Sequence, residues 1–234
     1  MIDIHVHILP GVDDGARDDA MTAEMLERAA DAGIRTIVCT PHVYRAEQHA
    51  VNIQAFPAVK SVAASKGIRL FSGCEFNYRA LIKTGVENLD PFCMAGTKCI
   101  LLEFSNDRLF PGWEPMICEI VENGYHPIIA HPERYTYIQK DMGIAEELCG
   151  FGCELQVDCG GLMAGMFGAE RRTARKLLSQ GMVSYIASDA HRPEHYDTFE
   201  KAYRTFKEEW PTQNRLSAML AEQGLRRRRA AREG

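Results

Sequence analysis

The amino-acid sequence predicts an α/β fold in which seven strand-helix units form a TIM-like barrel. Three observations predict it. Short apolar runs alternate with amphipathic stretches along most of the chain. Five of the helical stretches run up to a glycine just before the next apolar run, where a left-handed cap would turn the chain back. Residues with metal-binding or acid-base chemistry gather at the ends of the apolar runs, which is where parallel barrels carry their active sites.

The elements follow in order. Ile2 to Val6 alternates apolar and polar side chains with the period of a strand, and Asp19 to Ala32 has helical spacing up to Gly33. Ile34 to Cys39 is the second strand, Asn52 to Lys66 a helix closed by Gly67, and Ile68 to Cys74 the third strand. Lys98 to Phe104 and Pro127 to Ala130 are strands separated by the helix Trp113 to Asn123 and Gly124. Helix Met142 to Gly150 and Gly152 precede strand Cys153 to Val157; helix Ala169 to Gln180 and Gly181 precede strand Val183 to Ala187. Asp197 to Trp210 and Gln213 to Gln223 read as two further helices, separated by Pro211. The later strands are near-continuously apolar, as in parallel sheets covered by helices on both sides.

With 234 residues, 46% apolar and 25% charged, residues 1–224 can bury one core, and no linker divides them. The N-terminus lacks a signal-peptide pattern, and no stretch of about 18 apolar residues could span a bilayer, so a cytoplasmic protein without membrane insertion is expected. Eight cysteines lie scattered in apolar patterns with no C-x-x-C pair, which reads as buried, reduced thiols. Residues 1–224 carry a net charge of -9, whereas residues 225–234 hold five arginines, Arg226 to Arg229 and Arg232. That basic tail is read as solvated and disordered, with no nucleic acid expected as a partner.

Nine candidate ligands mark the strand ends: His5, His7, Asp14, His42, Glu75, Glu103, His131, Asp189 and His191. His5 and His7 are at i and i+2 of one strand and so face the same side, and Asp189 and His191 repeat that spacing. One such residue is more often a cap or a surface group; nine at equivalent positions imply a shared site. Five imidazoles and four carboxylates exceed what one ion needs, so two or three ions are implied, with metal-assisted phosphoester hydrolysis as the chemistry. Asp13-Asp14-Gly15 follows the His-x-His strand as a turn that presents Asp14, whereas Asp158 reads as a turn cap. Glu47, His49, His126 and His195 read as surface or structural residues. Arg134, beyond His131, offers a planar guanidinium for two phosphate oxygens, ahead of Arg192, Arg45 and Arg79. Cys39 and Arg45 have the spacing of cysteine phosphatases, but Pro41 has no N–H and the segment has no glycine to cradle phosphate.

The segments Met1 to Gly15, Thr40-Pro-His42, Gly73-Cys-Glu75, Leu101 to Phe104, Ala130 to Arg134 and Ala187 to His191 resemble PHP-superfamily phosphatases. More closely, they are similar to the manganese-dependent protein-tyrosine phosphatases of bacterial capsule and exopolysaccharide clusters, the CpsB/CapC type. The resemblance implies a distorted (β/α)7 barrel, the PHP fold, with three divalent ions. Manganese is expected, although the mixed donors also accept iron, zinc or cobalt. His5, His7, Glu75 and Asp189 would hold one ion; Glu75, Glu103 and His131 a second; Asp14, His42 and His191 the third. Glutamate at position 103 resembles the tyrosine-phosphatase branch. Relatives place an arginine where this chain has Tyr196, with Arg192 as the candidate substitute. Phosphotyrosine would dock on the metals and Arg134 and be attacked by a metal-bound hydroxide, with Asp14 and His42 also in the catalytic set and His42 as one possible proton source. The implied partner is a tyrosine-phosphorylated bacterial autokinase tail, and the alternative substrate is a small phosphomonoester such as histidinol phosphate.

Overall fold

The computed structural model describes residues 1–212 and 214–222. All the strand pairs in it are parallel. Strands β1 (Ile2–Asp3), β2 (Thr36–Cys39) and β4 (Arg69–Ser72) form one sheet in the order β1-β2-β4. A second sheet follows the order β3-β5-β6-β7-β8-β9, from β3 (His42–Val43) and β5 (Glu75–Asn77) through β6 (Cys99–Glu103), β7 (His126–Ala130) and β8 (Glu154–Asp158) to β9 (Val183–Ala187).

Each of the seven expected strands therefore has a counterpart, but two are split. The second and third runs pause at residues 40–41 and 73–74 and resume in the other sheet as β3 and β5. Beyond β1, Val6 joins both neighbours: its carbonyl accepts from the Thr40 N–H, its N–H donates to the Thr40 hydroxyl, and it forms an isolated parallel bridge with Ala190. Asp189 N–H donates to the His5 carbonyl at 2.9 Å and His7 N–H to the Ala190 carbonyl at 3.0 Å. The segments that follow β1 and β9 thus meet at the rim where the candidate ligands lie.

Helices α1 (Asp19–Asp31), α2 (Ala46–Asn52), α3 (Phe56–Ser65), α4 (Tyr78–Thr84) and α5 (Trp113–Glu122) connect the early strands. After β7 come α6 (Thr136–Lys140), α7 (Gly143–Gly150), α8 (Cys159–Met163), α9 (Ala169–Ser179) and α10 (His195–Thr205). The second helical region starts earlier than periodicity predicts, because the Gln48 side chain accepts from the Arg45 N–H at 2.9 Å and caps a separate helix there. The five cap glycines, Gly33, Gly67, Gly124, Gly152 and Gly181, all have positive φ, as their sequence positions predict. Helix α10 ends at Thr205, short of the expected Trp210.

A large apolar cluster fills the space between strands and helices, with Leu155, Val157 and Ile129 on the strand side and Met25, Ile117 and Leu177 on the helix side. A smaller cluster of Ile4, Val38, Leu101, Ile128, Ala130, Tyr185 and Ala187 gathers alternate strand residues on the opposite strand faces. Residues 215–222 are helical and add Leu216 and Leu220 to this inner cluster, with the Leu216 N–H donating to the Tyr185 hydroxyl at 3.2 Å. Both ends of the expected Gln213 to Gln223 helix, and the Arg226 to Arg232 tail, lie outside the described residues. No helix among the described residues is long and apolar enough to cross a membrane.

Candidate metal centre

The site grows out of the strand ends. Beyond β1 the chain carries His5 and His7 inward, fully buried, and then turns sharply through Asp13-Asp14-Gly15. Gly15 is obligatory in this turn, since a Cβ there would lie 2.1 Å from the His7 carbonyl oxygen. His42 and Glu75 open β3 and β5 and pair in register, and Glu103 closes β6. His131 and Asp189 follow β7 and β9 with φ of 34° and 48°, left-handed backbone rarely adopted by residues other than glycine. Such strain clusters where the surrounding structure holds a residue in a required orientation.

Glu75 stands at the centre. Its Oε1 is 2.7 Å from His131 Nε2, and its Oε2 lies 2.8 Å from His42 Nδ1, 3.3 Å from His5 Nε2 and 3.5 Å from His7 Nε2. Asp189 Oδ1 is 3.3 and 3.2 Å from the same two Nε2 atoms, which are themselves 3.1 Å apart. On the outer side, Asp14 Oδ1 lies 3.5 Å from His42 Nε2 and 3.3 Å from His191 Nε2. Ligand bonds of about 2.0–2.2 Å put neighbouring donors about 3.0–3.5 Å apart, so these separations suit donors sharing a cation.

Three overlapping donor groups result: His5, His7 and Glu75; His42, Glu75 and Glu103; and His7, Asp14, His42 and His191. All nine expected residues contribute to or border these groups. The grouping differs in detail from the one the resemblance implies: His42 takes the place of His131 beside Glu103, and His7 joins the outer group.

The electrostatics fit a site built for positive charge. Burial alone would raise the Glu75 carboxyl, but His5, His131 and His42 hold it well below the usual carboxylate range. Burial likewise opposes Asp189, which His5, His7 and Arg134 nonetheless hold well down. Burial depresses the His5 imidazole, yet Glu75 and Asp189 raise it to about 9. Burial and the neighbouring Glu75 charge raise Glu103. Meanwhile Glu75 Oε2, Asp189 Oδ1, and the Nδ1 atoms of His42 and His131 are buried without a hydrogen-bond partner. Buried anionic oxygens left so are costly unless a cation meets them.

Supporting residues missed at the sequence level surround this cluster. Asp13 Oδ2 lies 2.8 Å from His7 Nδ1 and accepts from the His42 N–H, orienting both. Asp158 is not a turn cap: it is buried, and its Oδ2 lies 2.5 Å from Arg134 Nη2. Gln156, two residues earlier on β8, contacts His5. Polar residues at i and i+2 of a strand whose intervening residues are apolar were the available signal.

Arg134 lies at the mouth, with Nη2 also 2.6 Å from Asp189 Oδ2. Its other guanidinium nitrogens have no hydrogen-bond partner among the described residues. A cavity of ≈ 660 Å³ opens there, lined by Arg134, Asp189, His191 and the exposed Arg192 among others. Tyr196 is buried in the core and takes no place in the cavity lining. His49 is buried against Phe92, Glu47 is exposed, His126 meets Arg215, and His195 Nδ1 accepts from the His191 N–H. Cys39 is buried, with its thiol pushed up to about 12 by burial, and all eight cysteines are free.

A family model for capsular polysaccharide synthesis, CpsB/CapC, matches residues 1–214. The chain belongs to this family. Tyrosine-protein phosphatase YwqE of Bacillus subtilis is 34% identical over 216 residues, 89% of this chain and 85% of that protein. Tyrosine-protein phosphatase CpsB of Streptococcus pneumoniae is 27% identical over 222 residues, 87% and 91% of the two chains. Crystal structures of YwqE and CpsB, described as unique metal-dependent tyrosine phosphatases, supply a match with a TM-score of 0.77 and 32% identity, covering 95% of this chain and 92% of that one. The CpsB/CapC match ends before the arginine-rich tail.

Proposed function

We propose that this CpsB/CapC-family chain is a metal-dependent phosphatase that hydrolyses phosphotyrosine in proteins. The observation that carries the reading is the convergence of imidazoles and carboxylates on Glu75, with buried carboxylate oxygens of Glu75 and Asp189 left without a hydrogen bond. Three divalent ions, manganese by family resemblance, would be held by His5, His7, Glu75 and Asp189; by His42, Glu75 and Glu103 with His131 beside them; and by His7, Asp14, His42 and His191. Bound there, they would polarise the phosphoryl group and bring the pKa of a water towards about 7.

The chain's own residues do the rest. Arg134 presents its free guanidinium edge to phosphate oxygens at the cavity mouth, and Arg192 also lines that cavity. His42 serves as a ligand rather than a proton donor in this reading, because both its ring nitrogens face carboxylates. A phenolate, with a pKa of about 10, leaves with less need of protonation than an alkoxide. Tyr44 stacks on the His42 ring with centroids 5.1 Å apart and is 48% exposed, offering an aromatic surface to the phenyl ring of the substrate. The reading extends to a cytoplasmic setting and to the tyrosine-rich tail of a bacterial autokinase as substrate, in keeping with the family's link to capsular polysaccharide synthesis.

The experiment compares turnover of a phosphotyrosine peptide with that of histidinol phosphate, before and after chelation and with manganese restored. Peptide turnover lost on chelation and recovered with manganese is expected. Undiminished activity in chelator overturns the metal, and faster turnover of histidinol phosphate overturns the substrate.

A further inference from the structure

We propose that Gln156 and Asp158 are positioning residues that tie the phosphate-facing Arg134 to the candidate ligand His5 through one chain of an ion pair and two buried hydrogen bonds. The proposal rests on the metallophosphatase reading above. Gln156 and Asp158 are i and i+2 on β8, so both side chains leave the same face of the strand, and both are fully buried.

The chemistry of the chain fixes its direction. Asp158 faces a guanidinium, with Oδ2 2.5 Å from Arg134 Nη2, and its Oδ1 accepts from Gln156 Nε2 at 2.8 Å. A carboxylate can only accept, so the amide NH₂ must point to Asp158 and the amide oxygen to His5. Gln156 Oε1 lies 2.8 Å from His5 Nδ1, which must therefore carry the hydrogen. The lone pair of neutral His5 is then on Nε2, which faces Glu75 Oε2 and Asp189 Oδ1 at 3.3 Å each. Arg134 closes the circuit by donating to Asp189 Oδ2 at 2.6 Å.

The anchoring of the chain is equally specific. Asp158 N–H donates to Glu133 Oε1 at 2.9 Å, which fixes the strand end carrying Asp158 to the loop that carries Arg134. Gly161 allows this, since a Cβ there would lie 2.5 Å from the same Glu133 oxygen. Partners that orient a metal-binding imidazole typically influence affinity by about 10- to 100-fold. Here the same partners also hold the anion-binding arginine, so one buried unit would couple metal grip to phosphate recognition.

The test uses full-length Gln156→Leu and Asp158→Asn, with manganese binding measured by calorimetry on chelator-stripped protein and inorganic phosphate as a competitive inhibitor of the reloaded enzyme. Gln156→Leu is expected to weaken the tightest manganese site about 10-fold or more. Asp158→Asn, which keeps the shape but removes the anion beside Arg134, is expected to weaken phosphate inhibition about 10-fold. Circular dichroism of the stripped proteins reports folding separately, and Asp158→Asn carries the test if Gln156→Leu does not fold. Wild-type protein that binds no manganese defeats the metallophosphatase reading itself. Wild-type binding with both variants within about twofold of it for manganese and phosphate overturns the positioning role alone.

Discussion

Gly15→Ala should destabilise the protein far more than an ordinary glycine substitution, because the added methyl has nowhere to go. Its Cβ would meet the His7 carbonyl oxygen at 2.1 Å, His7 Cβ at 2.4 Å and His7 C at 2.8 Å, so the Asp13-Asp14-Gly15 turn must move away from the strand. Three of the contacts that hold that turn are Gly15 N–H to Asp13 Oδ1 at 3.0 Å, Ala16 N–H to the His7 carbonyl at 3.0 Å, and His7 Nδ1 with Asp13 Oδ2 at 2.8 Å. At about 1 kcal/mol for a neutral bond and about 1.5–3 kcal/mol where a charge takes part, losing them costs about 4–7 kcal/mol. In a domain of this size that lowers the melting temperature by roughly 10 °C or more. Gly67→Ala is the control, since its φ of +72° is unfavourable but its Cβ would meet nothing within 4 Å, and it should cost about 1 kcal/mol. The assay is thermal unfolding of chelator-treated protein followed by circular dichroism. A melting temperature for Gly15→Ala within about 2 °C of wild type, or equal to that of Gly67→Ala, refutes the close approach between turn and strand.

Arg134→Lys should raise KM for phosphotyrosine peptide about 10-fold with a smaller effect on kcat, since an ammonium cannot present a planar pair of donors; steady-state kinetics would show the split. Tyr44→Ala should lower kcat/KM for p-nitrophenyl phosphate about 3- to 10-fold while leaving histidinol phosphate unchanged, in line with aromatic stacking of about 0.5–1.5 kcal/mol. Cys39→Ser should retain peptide turnover, and native Cys39 should resist alkylation at pH 8 because burial pushes its thiol up to about 12. A thiol raised in this way favours the fold while neutral, so its contribution is whole below the ordinary value of 9.0 and is lost as pH rises towards about 12. Loss of turnover in folded Cys39→Ser would return the chemistry to a thiolate.

Much of the fold is legible in the apolar runs and their glycine caps, because a parallel strand buried on both faces writes a continuous apolar signal. The breaks after Cys39 and around Gly73 leave almost no trace there: Thr40-Pro41 and Gly73-Cys74 interrupt the pairing for only two residues each. Helices α6 and α8 have five residues each, too few to display a helical period, so they pass as loop in a sequence reading. Within the site, the nine donors stand out because they gather at or beyond the ends of the apolar runs. Asp13 and Gln156 do not, and Asp158, although it ends β8, has no metal-binding neighbour in the sequence to mark it; their role depends on partners elsewhere along the chain, Gln156 meeting a residue 151 positions away. The left-handed backbone of His131 and Asp189 is likewise a tertiary consequence, imposed on residues whose local preference is otherwise.

Elemental analysis of the protein purified without added metal, set beside peptide turnover on the same sample, tests the central claim most directly. The account predicts two to three equivalents of divalent metal per chain, turnover that falls in step as a chelator removes them, and loss of both in Glu75→Gln. Full turnover by protein carrying no stoichiometric metal would contradict it.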